Sequence, residues 1–402
     1  SVLFWTGAPA PGSAALEFWT KTESLLQQTH PNVKVTRESP AVREGETYFQ
    51  NVLAGAVAGS GPDVYMMDVT KSELGQSVPL GINRAVDDYL RTLPNVGKIF
   101  PWARQLAQLQ GKTWGFPAEV EFVSAFYNRP VFSKARLTPG PQTWGEFLQQ
   151  GSTLKAGGVL PLQSASGGDS PARYNHVHGY LMAMIAGQQG MGEWLQDRGR
   201  WDRDSAFVQA LDVMLSLSAV GILPQDPFDP AWAMPADWYS GKVGMTFNGT
   251  WALADYNKQM RDSPGFEFGQ FALPSPKGAG RPALMGGVGN GFTITARAQA
   301  PEAAATFVDF LYSPPVQKLW IEIRFQPQPV PFKAADYQLS GANQEALALM
   351  EQEVSKMAIA WWHVMTPDQR MEQGPLITSV LKKATSPQQA GIRMQQLWEQ
   401  KR

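Results

Sequence analysis

Short apolar runs alternating with amphipathic stretches through the first part of the chain constrain the fold more than any other feature. Val2 to Trp5 reads as a strand, and Ala15, Phe18, Trp19, Leu25 and Leu26 then fall within one arc of a helical wheel. His30-Pro31-Asn32 ends that helix. Val33 to Thr36 alternates as a second strand, a helix follows around Tyr48 to Ala58, and the Gly-Ser-Gly-Pro turn at 59–62 leads into a strand from Asp63 to Met67. Asp63 is expected to structure that turn beside Pro62. The order is β-α-β-α-β, and crossover helices of this kind imply parallel strands.

The same alternation continues downstream. Thr143 and Glu146 form a T-x-x-E capping box ahead of a helix that contains Phe147 and Leu148, and Phe207, Leu211, Met214 and Ser218 mark another helix. Phe307, Phe310 and Leu311 lie on a helix that Ser313-Pro314-Pro315 interrupts, and Val316, Leu319, Trp320 and Ile323 lie on the next. QPQPVP at 326–331 cannot continue a helix and reads as a connector. With 402 residues, 43% of them hydrophobic, the chain has enough apolar surface for two cores.

Charge and cysteine usage exclude several function classes. Lys plus Arg number 34 against 35 Asp plus Glu, so no basic footprint for nucleic acid or an anionic membrane is present. The chain has no cysteine, which removes disulfides, thiolate metal sites and cysteine nucleophiles. No apolar run approaches the roughly 18 residues of a membrane span. The chain starts at Ser1 with the strand-like VLFW, which is read as a mature or trimmed product without its targeting segment.

Two stretches carry the functional signal: Gly111 to Trp144, which opens GKTWGFPAEVEF, and Gly241 to Trp251, GKVGMTFNGTW. Both mix aromatic rings, glycines and a few carboxylates or amides, as pockets for polar, flat-faced small molecules do. A sugar is such a molecule. Glu119 and Glu121, two apart on a strand, point to the same face, and a carboxylate there can accept hydrogen bonds from adjacent hydroxyls. Asp68, at the mouth of the strand through Val64 to Met67, is a third carboxylate of this kind.

Leu347, Met350, Val354, Met357 and Trp361 step by threes and fours, so Trp361 is assigned to a buried helical stripe and Trp362 to the open side. Trp5 ends the first strand, where a ligand or a core could receive it. Arg43 and Glu44 sit in a loop able to close over a ligand. His176 and His178 have a metal-like i, i+2 spacing, but no acidic cluster flanks them and a structural or surface role is expected, with no metal or cofactor implied. GGVGNG at 286–291 lacks the G-x-G-x-x-G spacing of a dinucleotide site. Its glycines, Gly287 among them, are expected to let a strand approach the ligand and to flex.

Taken in order, HPNVKV, AGAVAGSGPDVYMMD, GKTWGFPAEVEF, FYNRPVFSKARL, PQTWGEF, GKVGMTFNGTW, FALPSPKG and EAAATFVDFLYSP make this chain resemble the extracellular solute-binding proteins of ABC importers. The resemblance runs from Val2 to about Trp398 and is greatest to the carbohydrate-specific, maltose-binding-protein-like branch. It implies an α/β, two-lobed periplasmic-binding-protein-like fold, each lobe a sheet flanked by helices, with the ligand in a cleft between lobes. Lobe one is then 1–120 plus 290–330, and lobe two 121–289 plus 331–402.

By the same resemblance Trp251 of N-G-x-W stacks on a sugar ring, Glu121 is the ligand carboxylate, Trp362 is a C-terminal stacking aromatic, and Tyr174 and Asn175 are an aromatic and a polar contact. The implied function is binding of a neutral sugar, a di- or oligosaccharide, and its delivery to the membrane permease of an ABC importer by hinge closure. No catalysis and no nucleic acid are implied. The expected molecule is a monomer, exported to the periplasm or tethered at the outer face of the cytoplasmic membrane. The alternatives are the same scaffold with a glycerol phosphodiester or another small solute, and a glycoside hydrolase using paired carboxylates.

Overall fold

The computed structural model describes residues 1–40, 47–164, 174–203, 205–226, 229, 231, 234–278, 284–339 and 341–400. The chain divides into two compact units, residues 1–121 with 288–339 and residues 122–287 with 340–402, so it passes between them three times. The third passage lies later than the sequence suggests. Residues 331–339 belong to the first unit: Ala334 is buried, Gln317 Nε2 donates to the Pro331 carbonyl at 3.2 Å, and Phe100 N–H donates to the Pro329 carbonyl at 2.8 Å.

In the first unit the strands Val35–Glu38, Val2–Trp5, Val64–Asp68, Asn290–Ile294 and Phe116–Pro117 form one sheet in that order. The first three are parallel, as the crossover pattern requires. Asn290–Ile294 runs antiparallel to both of its neighbours. The second strand begins two residues later than alternation predicts, because Val33 N–H closes a turn on the His30 carbonyl and Lys34 offers its carbonyl to Val2. The helices Ala14–Thr29 and Tyr48–Ala58 stand where the sequence puts them, capped by Ser13 and by the reciprocal Thr47–Gln50 box. Asp63 accepts from the N–H groups of Leu3 and Gln299, which ties the turn to the sheet.

Phe4 is the centre of this core. Trp19 and Phe307 each meet it edge-on at 5.2 Å, and Phe292 lies at 6.0 Å. At the carboxyl end of the helix Pro314–Arg324, Arg324 lies over Trp320 and reaches Glu119 at 2.7 Å. Glu119, 1% exposed, also accepts from Asn290 Nδ2 at 2.8 Å. A buried carboxylate persists only with such partners.

In the second unit the strands Ala358–Ile359, Met285–Val288, Val120–Asn128, Val243–Gly249 and Leu160–Leu162 are neighbours in that order, with Phe268–Phe271 paired to Val120–Asn128. Every residue of Val243–Gly249 is buried. Leu160–Leu162 runs parallel to it and Val120–Asn128 antiparallel. Asn248 and Gly249, a dipeptide with turn chemistry, are the last two residues of this strand.

The helices Asn175–Leu195, kinked at Gly187 where φ is +64°, and Ala206–Ala219 pack over the core. On the latter helix Leu217 rather than Ser218 completes the buried face. Thr143 caps the helix Trp144–Ala156, but the expected box is only half made. Glu146 accepts from Gln142 N–H at 2.7 Å instead of the cap residue.

Removing the Glu119 carboxylate leaves the Arg324 guanidinium without its buried counter-charge. Glu119→Ala is therefore expected to lower stability by about 3 kcal/mol, and Glu119→Gln, which keeps an acceptor for Asn290, by less. Urea unfolding followed by circular dichroism measures both. Equal losses in the two variants would show that the charge contributes nothing.

Candidate functional site

The last residues of the buried strand Val243–Gly249 hand the chain to a single 3-10 turn, Thr250–Ala252, which carries Trp251 out to a half-buried position. Thr250 Oγ1 anchors the turn by accepting from Phe122 N–H at 3.4 Å. A second 3-10 turn, Trp361–His363, follows the short strand Ala358–Ile359, and Ala360 N–H donates to the Gly286 carbonyl at 2.7 Å. The helix starting at Asn175 supplies His176.

These elements bring aromatic rings together within the second unit. Trp251 meets Trp362 edge-on at 6.2 Å and His176 at 5.2 Å. Trp361 lies 5.8 Å from Trp362 and 6.3 Å from His176. Trp251 is the indole of this group with surface to spare, since Trp361 and Trp362 are 6% and 5% exposed.

Polar atoms without hydrogen-bond partners border the rings. His176 Nδ1, Trp361 Nε1 and Asn175 Oδ1 have none among the described residues. Each is a donor or acceptor that a hydroxyl or a water satisfies. His176 has lost hydration to its neighbours, which pushes its pKa down to about 4, so the imidazole is uncharged near neutrality. His178 is likewise pushed down to about 4 by burial, but both its nitrogens are used, on the Phe207 carbonyl at 3.0 Å and Gln373 at 3.1 Å. Its role is structural, as expected.

The other candidates fall at different places. Tyr174 is a core residue, 1% exposed, whose hydroxyl donates to the Pro224 carbonyl at 3.1 Å, so it does not present a ring to the surface. Asn175 is buried beside it. At Gly287, the space that a side chain would fill is taken by His363: a Cβ would lie 2.1 Å from Nε2. Gly287, Gly289 and Gly291 thus sit where neighbouring groups press on bare backbone. Glu121 lies against Gly289, with Oε1 2.1 Å from where a Cβ would stand.

In the first unit, Asp68 ends the strand Val64–Asp68 in register with Asn290 and is half-buried, as is Glu121. Trp5 packs along the helix Tyr48–Ala58, where its indole meets Gly55 and its N–H donates to Glu38 at 3.2 Å. Glu119 is tied to Arg324 and Asn290. Glu44 lies outside the described residues.

The expected separation of Trp361 from Trp362 by helical phase fails. The helix ends at Glu353, and pairing of Ala358–Ile359 with Met285–Gly286 replaces helix with strand before the tryptophans are reached. Both indoles are buried. His176 is the ring that sequence reasoning assigned elsewhere. Its partners Trp251 and Trp361 lie far along the chain, so no local spacing signals it.

Residues 7–318 match the bacterial extracellular solute-binding proteins, and the chain belongs to that family. Among solved structures it is similar to a chitin oligosaccharide binding protein, with a TM-score of 0.79 at 18% identity over 100% of this chain and 98% of that one. The cyclic alpha-maltosyl-1,6-maltose binding protein from Arthrobacter globiformis gives 0.76 at 17% identity over 99% and 98% of the two chains. The GacH receptor of Streptomyces glaucescens GLA.O, solved unliganded and with acarbose, gives 0.73 at 20% identity over 99% and 97%. At these identities the likeness is one of fold.

The two depressed histidine pKa values set a pH dependence. The unfolded chain binds protons at His176 and His178 near pH 6.5, and the folded chain does so only near pH 4. Stability is therefore expected to fall as pH drops from about 6.5 towards 4. His176→Phe should flatten part of that slope in thermal melts taken across the window. A slope unchanged in both His176→Phe and His178→Phe would contradict the assignment.

Proposed function

We propose that this protein binds a neutral sugar, a di- or oligosaccharide, and delivers it to an ABC import permease without chemical change. The observation that carries the reading is the half-buried Trp251, held beside His176 and Trp362 at the end of the Val243–Gly249 strand. The C–H face of a pyranose matches the partly exposed indole face of Trp251. An uncharged imidazole suits an uncharged ligand. Family membership and the oligosaccharide-binding proteins among the similar structures support the same class of ligand.

Glu121 and Asp68 are proposed as further hydroxyl acceptors from the first unit. Delivery to a permease places the protein outside the cytoplasm, in keeping with the extracellular family it belongs to.

Titration calorimetry over a panel of mono- and oligosaccharides, with a glycerol phosphodiester included, is expected to find a neutral sugar as ligand and chromatography to recover it intact. Turnover of any glycoside, or preference for the phosphodiester, would overturn the reading. Trp251→Ala should weaken binding by roughly 1 to 3 kcal/mol with the melting temperature nearly kept, since the ring is half exposed. Trp361→Ala should instead lower the melting temperature, because it empties a buried site. Closure on the sugar is read by small-angle scattering as a smaller radius of gyration at saturation. An unchanged radius would remove closure as the signal to the permease.

A further inference from the structure

Two rings of the aromatic group, and that of His363 lying 5.7 Å from Trp362, rest on glycines drawn from three different elements. A Cβ at Gly179, on the helix Asn175–Leu195, would lie 1.8 Å from Cδ1 of Trp361. One at Gly287 would lie 2.1 Å from Nε2 of His363, and one at Gly249 would lie 2.1 Å from both Cη2 and Cζ3 of Trp251 and 2.3 Å from Cε3. None of the three glycines is at positive φ, so backbone conformation does not call for glycine here. The space does. Gly249 is also the last residue of a fully buried strand, paired to Val123, and its backbone cannot retreat from the ring.

We propose that Gly249 is a positioning residue for ligand binding: it lets the benzo half of Trp251 lie on bare backbone, which fixes the pose of the ring offered to the sugar. The inference rests on the reading of Trp251 as the stacking platform. Contact between a side chain and the Gly249 Cα leaves the ring only one way to turn. His176 and Trp362 bound it on other sides. A methyl group at 249 must displace the indole by more than 1 Å, since carbon atoms approach to about 3.5 Å. Trp251 is half-buried, so it can swing outward without breaking the core.

The test is a double-mutant cycle on the full chain with the best sugar of the panel. Gly249→Ala is expected to weaken binding roughly tenfold, to change the near-ultraviolet circular dichroism of the tryptophans, and to leave the melting temperature within a few degrees. In a Trp251→Phe background, whose phenyl lacks the benzo carbons that meet Gly249, the same substitution should be nearly silent in binding. A tenfold loss that persists in the Trp251→Phe background overturns the proposal, as does unaltered affinity in the single variant. If Gly249→Ala fails to fold, Gly249→Ser in the Trp251→Phe background tests whether 249 tolerates a side chain once the indole is gone, and failure there also overturns it. Should no sugar bind the native chain, the dichroism cycle still reports the ring pose by itself, so the two readings fail separately.

Discussion

A residue without a Cβ lets a flat ring or a carboxylate come within van der Waals reach of the main chain, and this close approach recurs wherever the structure concentrates chemistry. It seats Trp251, Trp361 and His363 on Gly249, Gly179 and Gly287. In the first unit it brings Glu121 against Gly289, and at Gly291 a Cβ would fall 2.5 Å from the Phe116 carbonyl and 2.7 Å from Val69. The antiparallel pairing of Asn290–Ile294 with Phe116–Pro117 depends on that missing atom. Side chains here are placed by what the backbone lacks.

Two sets of buried polar groups, one in each unit, are treated differently. Glu119 in the first has its charge matched by Arg324 and its second oxygen by Asn290, a closed arrangement that holds the backbone where the chain leaves for the second unit. Around the aromatic group of the second unit, His176, Asn175 and Trp361 each keep a polar atom without a hydrogen-bond partner among the described residues. An unsatisfied buried donor or acceptor costs about 1 to 3 kcal/mol. That cost falls on the folded state as it stands.

Much of the fold was legible because local and tertiary preferences agree. The run from Val2 to Ala58 has apolar periods, caps and stops that point the same way, and its strands and helices appear within two residues of expectation. Disagreement came where a neighbour decided. Asn248-Gly249 has turn chemistry, yet hydrogen bonding to the strand Val120–Asn128 keeps it extended. The apolar stripe through Leu347 and Met350 does not extend to Trp361, because Met285–Gly286 captures Ala358–Ile359 as a strand. Glu146 had two N–H groups in range and took that of Gln142. Trp251 was legible from its motif, whereas His176 was not, since its partners are set by tertiary packing alone.

The pairing of Trp251 with a depressed histidine has one more physical consequence. Apolar walls lower the local dielectric, which strengthens any hydrogen bond made there and disfavours charge on the group that makes it. His176 is neutral for the same reason that its Nδ1 is a strong hydrogen-bonding atom: the indoles that surround it have displaced water. The rings therefore act twice. They supply a face for stacking, and they keep the neighbouring imidazole in the form that can either donate or accept. A charged imidazolium donates at both nitrogens and would favour an anion, so under the proposed reading the aromatic surroundings, more than the histidine itself, favour an uncharged ligand.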